Sequence, residues 1–213
     1  MFCFYMKSII LTAALLALNP LAALHASDSA GSAKPNIIFI VGDDCGYHEF
    51  SFQGGTISTP QIDAIAKGGV HLTQGYVSGA VCSPSRAGLL TGRYQQRFGF
   101  LGNLPFRKLD VSGLPLRETL LPAALKPAGY RSIAIGKWHL GWDPKFHPIA
   151  RGFDDFYGFL NGSRSYFPIE KPEPQVQLML DRDPAGPEKF TYLTDELGHR
   201  AGVGASATSH SDV

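Results

Sequence analysis

Pro35-Asn36-Ile37-Ile38-Phe39-Ile40-Val41-Gly42-Asp43-Asp44 is the stretch on which the reading of the fold turns. A continuous apolar run, rich in β-branched residues and bounded by Pro and Gly, predicts a central strand buried on both faces. That is the pattern of a parallel sheet in an α/β fold. Two carboxylates follow at once, at the strand end where open α/β sheets place their ligands. Adjacent carboxylates repel unless a cation neutralises them. Their oxygens suit a hard divalent ion, Ca²⁺ or Mg²⁺. The competing reading is an ordinary Asp-Asp turn.

Working outward, Thr59-Pro60 offers an N-cap with proline in the first helical turn, and Gly68-Gly69 closes the short helix that follows. Residues 70–77 alternate enough to predict the next strand. The chain then reaches Val81-Cys82-Ser83-Pro84-Ser85-Arg86-Ala87-Gly88-Leu89-Leu90-Thr91-Gly92-Arg93, a small-residue turn entering a helix that Gly92 can end. Cys82 would sit at the positive end of that helix with Arg86 one turn on, an environment that favours an anionic group. Strand, helix, strand and nucleophile helix in this order would bring Cys82 to the sheet edge that carries Asp43 and Asp44, because parallel strands share a carboxyl end. A buried structural thiol is the plainer reading of Cys82.

Further on, 117–125 reads as a helix ended near Pro127 and Gly129, and 130–136 as a strand leading to Lys137-Trp138-His139-Leu140-Gly141. Strand alternation would point Lys137 and His139 the same way and Trp138 the other. Residues 94–113 look like a loop in which Arg97 and Arg107 are exposed. Cys45 reads as a packed thiol, since soft sulfur suits a hard cation poorly. His48 and Glu49 carry no assigned role.

Upstream, residues 1–26 have the form of a secretory signal peptide: Lys7, an apolar core over 9–18, and Ala23-Leu24-His25-Ala26 as a cleavage site. The apolar core is short for a membrane span, so stable membrane insertion is not expected. Residues 27–34 form a flexible lead. Export leaves Cys45 and Cys82, no framework of disulfides. With 19 Lys+Arg against 18 Asp+Glu in 213 residues, the net charge of +1 gives no reason to expect a nucleic-acid partner. An apolar fraction of 44% supports a real core, and 24 Gly with 15 Pro imply many turns.

Cys82, Pro84 and Arg86 followed by Leu90-Thr91-Gly92-Arg93 resemble the signature of the type I sulfatases, whose cysteine is oxidised to formylglycine. The run from Asn36 to Tyr47 is similar to the opening metal motif of that family. Gly136-Lys137-Trp138-His139-Leu140-Gly141 resembles its second active-site motif, and 151–159 its following aromatic segment, in which Asp154 and Asp155 read as structural. The resemblance covers roughly 35–197, with its motifs in order. It implies an alkaline-phosphatase-like α/β fold, a mainly parallel mixed sheet flanked by helices, and a sulfuric ester hydrolase. It further implies metal ligands at Asp43, Asp44 and residue 82, and catalytic roles for Cys82, Arg86, Lys137 and His139. The hydrated aldehyde of residue 82 would be the nucleophile, His139 would take up a proton, and Arg86, Lys137 and the cation would neutralise sulfate oxygens. A sulfate ester, a formylglycine-generating maturation enzyme and the export machinery are the implied partners.

Sulfatases continue well past this length and draw further metal ligands from that later region. Residues 35–200 are therefore expected to be the N-terminal part of a catalytic domain, and 201–213, small and polar without apolar periodicity, a disordered tail. Half a metal shell binds a cation poorly, so this polypeptide alone is expected to be weakly active or inactive. Two alternatives stay open: a phosphate or phosphonate ester hydrolase of the same fold, and a noncatalytic fragment. Asn161-Gly162-Ser163 is a glycosylation sequon in form only.

Overall fold

A computed structural model of the chain describes residues 34–105 and 112–208. The expected signal peptide, nearly all of the lead, Arg107 and the last tail residues lie outside the described residues. The chain divides into two compact units, one ending at Cys45 and one running from Gly46 onward.

In the first unit the run 35–41 is not a strand: it has no ladder assignment, and Ile38 and Ile40 are 74% and 79% exposed. An apolar run becomes a buried strand only when neighbouring strands take up its N–H and C=O groups. Among the described residues the sheet is built from other segments. Gly42 lies against the Cys45 side chain, and Asp44 has φ +55°, so the acidic pair sits in a tight turn of the kind Asp tolerates.

The second unit opens with α1, Pro60–Gly68, as expected from the Thr59-Pro60 pair. Asp63 ties the helix start to the short turn before it, accepting from Ser51 Oγ at 2.7 Å, Phe52 N at 3.1 Å and Thr59 Oγ1 at 2.9 Å. These bonds, that of Ser51 foremost, hold its carboxyl below the usual range. Residues 70–77 are loop rather than strand, with Val70, Leu72, Tyr76 and Val77 exposed. The parallel β-α-β order expected across 35–77 is therefore not formed by those segments.

Helix α2, Cys82–Thr91, starts after extended Val81 and ends at Gly92 in the left-handed conformation. The expected helix over 117–125 narrows to α3, Leu121–Leu125, with proline in its first turn. Strands β1, Ile133–Lys137, and β2, Asp155–Phe159, form the parallel pair, with Gly136 opposite Gly158. Two short antiparallel strands follow, β3, Met179–Leu180, and β4, Asp183–Pro184, giving the order β1-β2-β3-β4. Helix α4, Leu193–Thr208, packs on β1 and β2 through Leu197, which lies near Gly136. It thus runs past Ala201 where a disordered tail was expected: alanine and isolated glycines leave a helix affordable once its other end is docked.

The strand buried on both faces is β2. Phe156 enters a cluster with Leu114, Leu120, Trp138, Leu140 and Ala87, while Tyr157 and Phe159 join Leu178 and Leu193 on the opposite side. Asp154 and Asp155 are structural, as read. Asp154 accepts from Lys126 Nζ and Ser132 N, each at 2.9 Å, and the Lys126 bond lowers its carboxyl. Asp155 takes both arms of Arg131. Among the described residues no helix is long and apolar enough to cross a membrane.

Candidate functional site

Cys82 is the first residue of α2, half-buried and not in a disulfide. Nothing on the helix itself caps it. Asn103 does so from the following loop, accepting from Ser83 N at 2.9 Å, and Leu104 N returns a bond to Ser83 Oγ. Ser85 Oγ donates to Gly79 O at 2.6 Å, fixing the chain that enters the helix. Gly88 is needed on the packed face, because a Cβ there would lie 2.2 Å from Ser78 Oγ. The helix start is thus held from several directions before any ligand arrives.

Arg86 joins this helix to the second motif. Its Nη1 donates to the backbone carbonyl of Lys137, at the end of β1, at 2.6 Å. The structure thereby brings Cys82's helix and the Lys-x-His segment together across a long sequence separation. The alternation expected through that segment stops at Lys137. Trp138 N and His139 N continue pairing to Phe159 O and Leu160 O at 3.0 and 3.1 Å, but His139 turns to φ +57°. A left-handed non-glycine residue is held there by its surroundings, and such geometry is typical of functional positions. Trp138 is buried and donates Nε1 to Phe146 O at 2.9 Å, anchoring the turn.

His139 is itself buried, and Gly162 lies directly on its imidazole: a Cβ at 162 would stand 2.5 Å from Cε1 and 2.6 Å from Nε2. A small cavity opens beside the ring, lined among others by Leu104, Trp142, Leu160, Asn161 and Gln175. Sequence reasoning missed Asn103, Gly162 and Gln175. Only Asn103, a polar residue after glycine in a loop, gave a local hint of capping. Arg97 is exposed, as expected.

Nearby charged groups are structural. Arg151 is buried and donates Nη1 to Leu114 O at 2.7 Å and Nη2 to Glu118 O at 2.8 Å, and burial pushes its guanidinium down. Burial, reinforced by the Arg182 charge, likewise pushes His147 below its ordinary value. Asp43 and Asp44 belong to the first unit, both exposed, and as a set of hard oxygen donors on one turn they fit a divalent cation.

The site therefore joins a cysteine-headed helix, an arginine tied to a lysine carbonyl and a strained buried histidine, on a mixed sheet with flanking helices. The family model described as Sulfatase matches residues 35–199. Arylsulfatase J of Mus musculus is 41% identical over 140 residues, covering 65% of this chain and 23% of that protein. The crystal structure of Ps i-CgsB in complex with k-i-k-neocarrahexaose superposes with a TM-score of 0.78 at 35% identity, covering 84% of this chain and 43% of that one. The structure of BT4656 in complex with its substrate D-glucosamine-2-N,6-O-disulfate superposes at 0.63 with 32% identity, covering 79% and 30%.

The chain belongs to the sulfatase family, with the family's alkaline-phosphatase-like α/β fold. It spans about a quarter of the length of the arylsulfatase it matches, 23%.

Proposed function

We propose that this chain carries the nucleophile and the sulfate-binding residues of an exported sulfuric ester hydrolase. The observation that carries the reading is the 2.6 Å bond from Arg86 to the Lys137 carbonyl, which places two cationic residues and His139 on elements joined to the helix of Cys82. Fixed positive charge of this kind is what a sulfate group requires as charge moves onto its oxygens. Cys82 heads a helix, is half-buried and is held by no disulfide, which fits conversion to formylglycine. When converted, residue 82 supplies a hydrated aldehyde as nucleophile.

In this reading Arg86 and Lys137 bind and orient the sulfate oxygens. His139 exchanges a proton at an imidazole nitrogen, and Gly162 and the turned backbone at 139 fix the ring for that transfer. Asp43 and Asp44 are the residues that would hold Ca²⁺ or Mg²⁺, which supplies Lewis-acid polarisation of the sulfate when bound. Their oxygens are part of the six to eight or so that Ca²⁺ takes. Residues 1–26 direct export, and a formylglycine-generating enzyme is the maturation partner. Substrates are sulfate esters, with sulfated sugars the class favoured by the sugar complexes of the two solved neighbours.

The test is mass spectrometry of the Cys82 peptide after co-expression with a formylglycine-generating enzyme, with hydrolysis of 4-nitrophenyl sulfate and 4-nitrophenyl phosphate read in parallel. Conversion lowers the peptide mass by about 18 Da. A persistent thiol beside a converted control peptide removes the sulfatase reading. Preference for the phosphate ester would move the assignment to phosphoryl chemistry.

A further inference from the structure

The cavity beside His139 carries two amide side chains whose bonding is only half complete. Asn161 accepts from Gly162 N through Oδ1 at 2.6 Å, which fixes that atom as oxygen and leaves Nδ2 as a donor. Gln175 donates Nε2 to the Glu173 carboxylate, an acceptor-only group, which leaves Oε1 as an acceptor. Both remaining atoms are buried without a hydrogen-bond partner, and Gln175 is only 7% exposed. Both residues line the same cavity as His139 and Trp142. A buried polar atom left unpaired costs about 1–3 kcal/mol, so a donor on one lining residue and an acceptor on another favour an occupant that offers the opposite of each. A hydroxyl is the group that does both. The cavity is small, on the scale of a single hydroxyl or water oxygen.

We propose that Asn161 and Gln175 form a hydroxyl-recognition pair that selects sulfate esters whose alcohol portion carries a free hydroxyl, as a sugar does. The pair deepens the sulfatase reading and rests on it, since His139 marks the reacting end of the same cavity. Asn161 Nδ2 donates to the hydroxyl oxygen and the hydroxyl donates to Gln175 Oε1. The pair acts in binding and selection and takes no part in proton transfer. The same buried Nδ2 means that the folded chain does not present Asn161 for glycosylation.

The experiment titrates the full chain with D-glucosamine-2-N,6-O-disulfate and with phenyl sulfate, which has no hydroxyl, and follows tryptophan fluorescence. Trp142 lines the cavity and is one of only two tryptophans in the chain. Gln175→Met removes the acceptor at similar volume, and Asn161→Ser withdraws the amide donor without adding charge. Each is expected to weaken the sugar about five- to tenfold, one hydrogen bond's worth, and to leave phenyl sulfate within about twofold. Equal loss for both probes, or no loss for either, overturns the pair and leaves water as the occupant. A wild-type chain that binds neither probe overturns it as well. Failure of the sulfatase reading is seen separately, in the mass of the Cys82 peptide, which these binding curves do not use.

Discussion

Gly162→Ala is the sharpest perturbation of the site. The added methyl would stand 2.5 Å from Cε1, 2.6 Å from Nε2 and 3.0 Å from Nδ1 of His139. Ordinary carbon contacts begin near 3.5 Å, so the ring or the 161–163 turn has to retreat by about 1 Å. The ring has little room, since His139 is 7% exposed and its backbone is tied to Leu160 O. Overpacking of this kind costs about 1–3 kcal/mol. For a chain of this size that lowers the melting temperature by roughly 3–10 °C. If His139 transfers the proton as proposed, misplacing it by about 1 Å lowers turnover of a matured, complete enzyme by about a hundredfold. The assay pairs a circular-dichroism melt with ¹H–¹³C spectra of the His139 imidazole, using Gly102→Ala, where no atom lies within 4 Å, as the control. Unchanged His139 ring resonances together with a melt within about 1 °C of wild type would refute the reasoning.

Three further outcomes follow from buried or exposed groups elsewhere. His147, depressed by burial, stays neutral in the fold while the unfolded chain takes up a proton near its ordinary value of 6.5, so stability holds above that pH and falls as pH drops below it towards the folded value. Urea midpoints from pH 8 to 5 read this, and His147→Gln should flatten that part of the curve. Arg164 and Glu188 form a 2.6 Å ion pair at 0% and 4% side-chain exposure, and Arg164→Ala strands the carboxylate. A loss of about 3–5 kcal/mol in urea unfolding is expected, against nearly none for exposed Arg97→Ala. Gly198, exposed within α4 with no atom near its would-be Cβ, should accept alanine with a gain of about 0.5–1 kcal/mol, read in the same unfolding curves.

The local chemistry was legible where it is written in local sequence. Thr59-Pro60 marks a helix start, Gly92 a helix end, and the Cys82 and Lys137–His139 motifs carry the family without any three-dimensional information. The strands at 35–42 and 70–77 were misread because an apolar run states only that a segment seeks burial, whereas a ladder needs a second segment that no local pattern names. The doubly buried strand proved to be 155–159, whose pattern is aromatic rather than aliphatic. Alternation through His139 failed because Gly136 and His139 both adopt positive φ, a choice made by packing rather than by periodicity. Gln175 stood in a stretch of prolines and charges with no motif, and only the folded chain brings it to the His139 cavity.

Gly136 and Gly158 meet backbone to backbone: a Cβ at 158 would fall 2.0 Å from the Gly136 carbonyl oxygen. In a saturation library position 158 would therefore tolerate no other residue, as strictly as a nucleophile would, and would do so under selection for folding alone. Lys137, one residue along from Gly136, would in its proposed sulfate-binding role show intolerance only under selection for turnover. Comparing the two screens separates what the sheet demands from what the chemistry demands, at neighbouring rungs of one ladder.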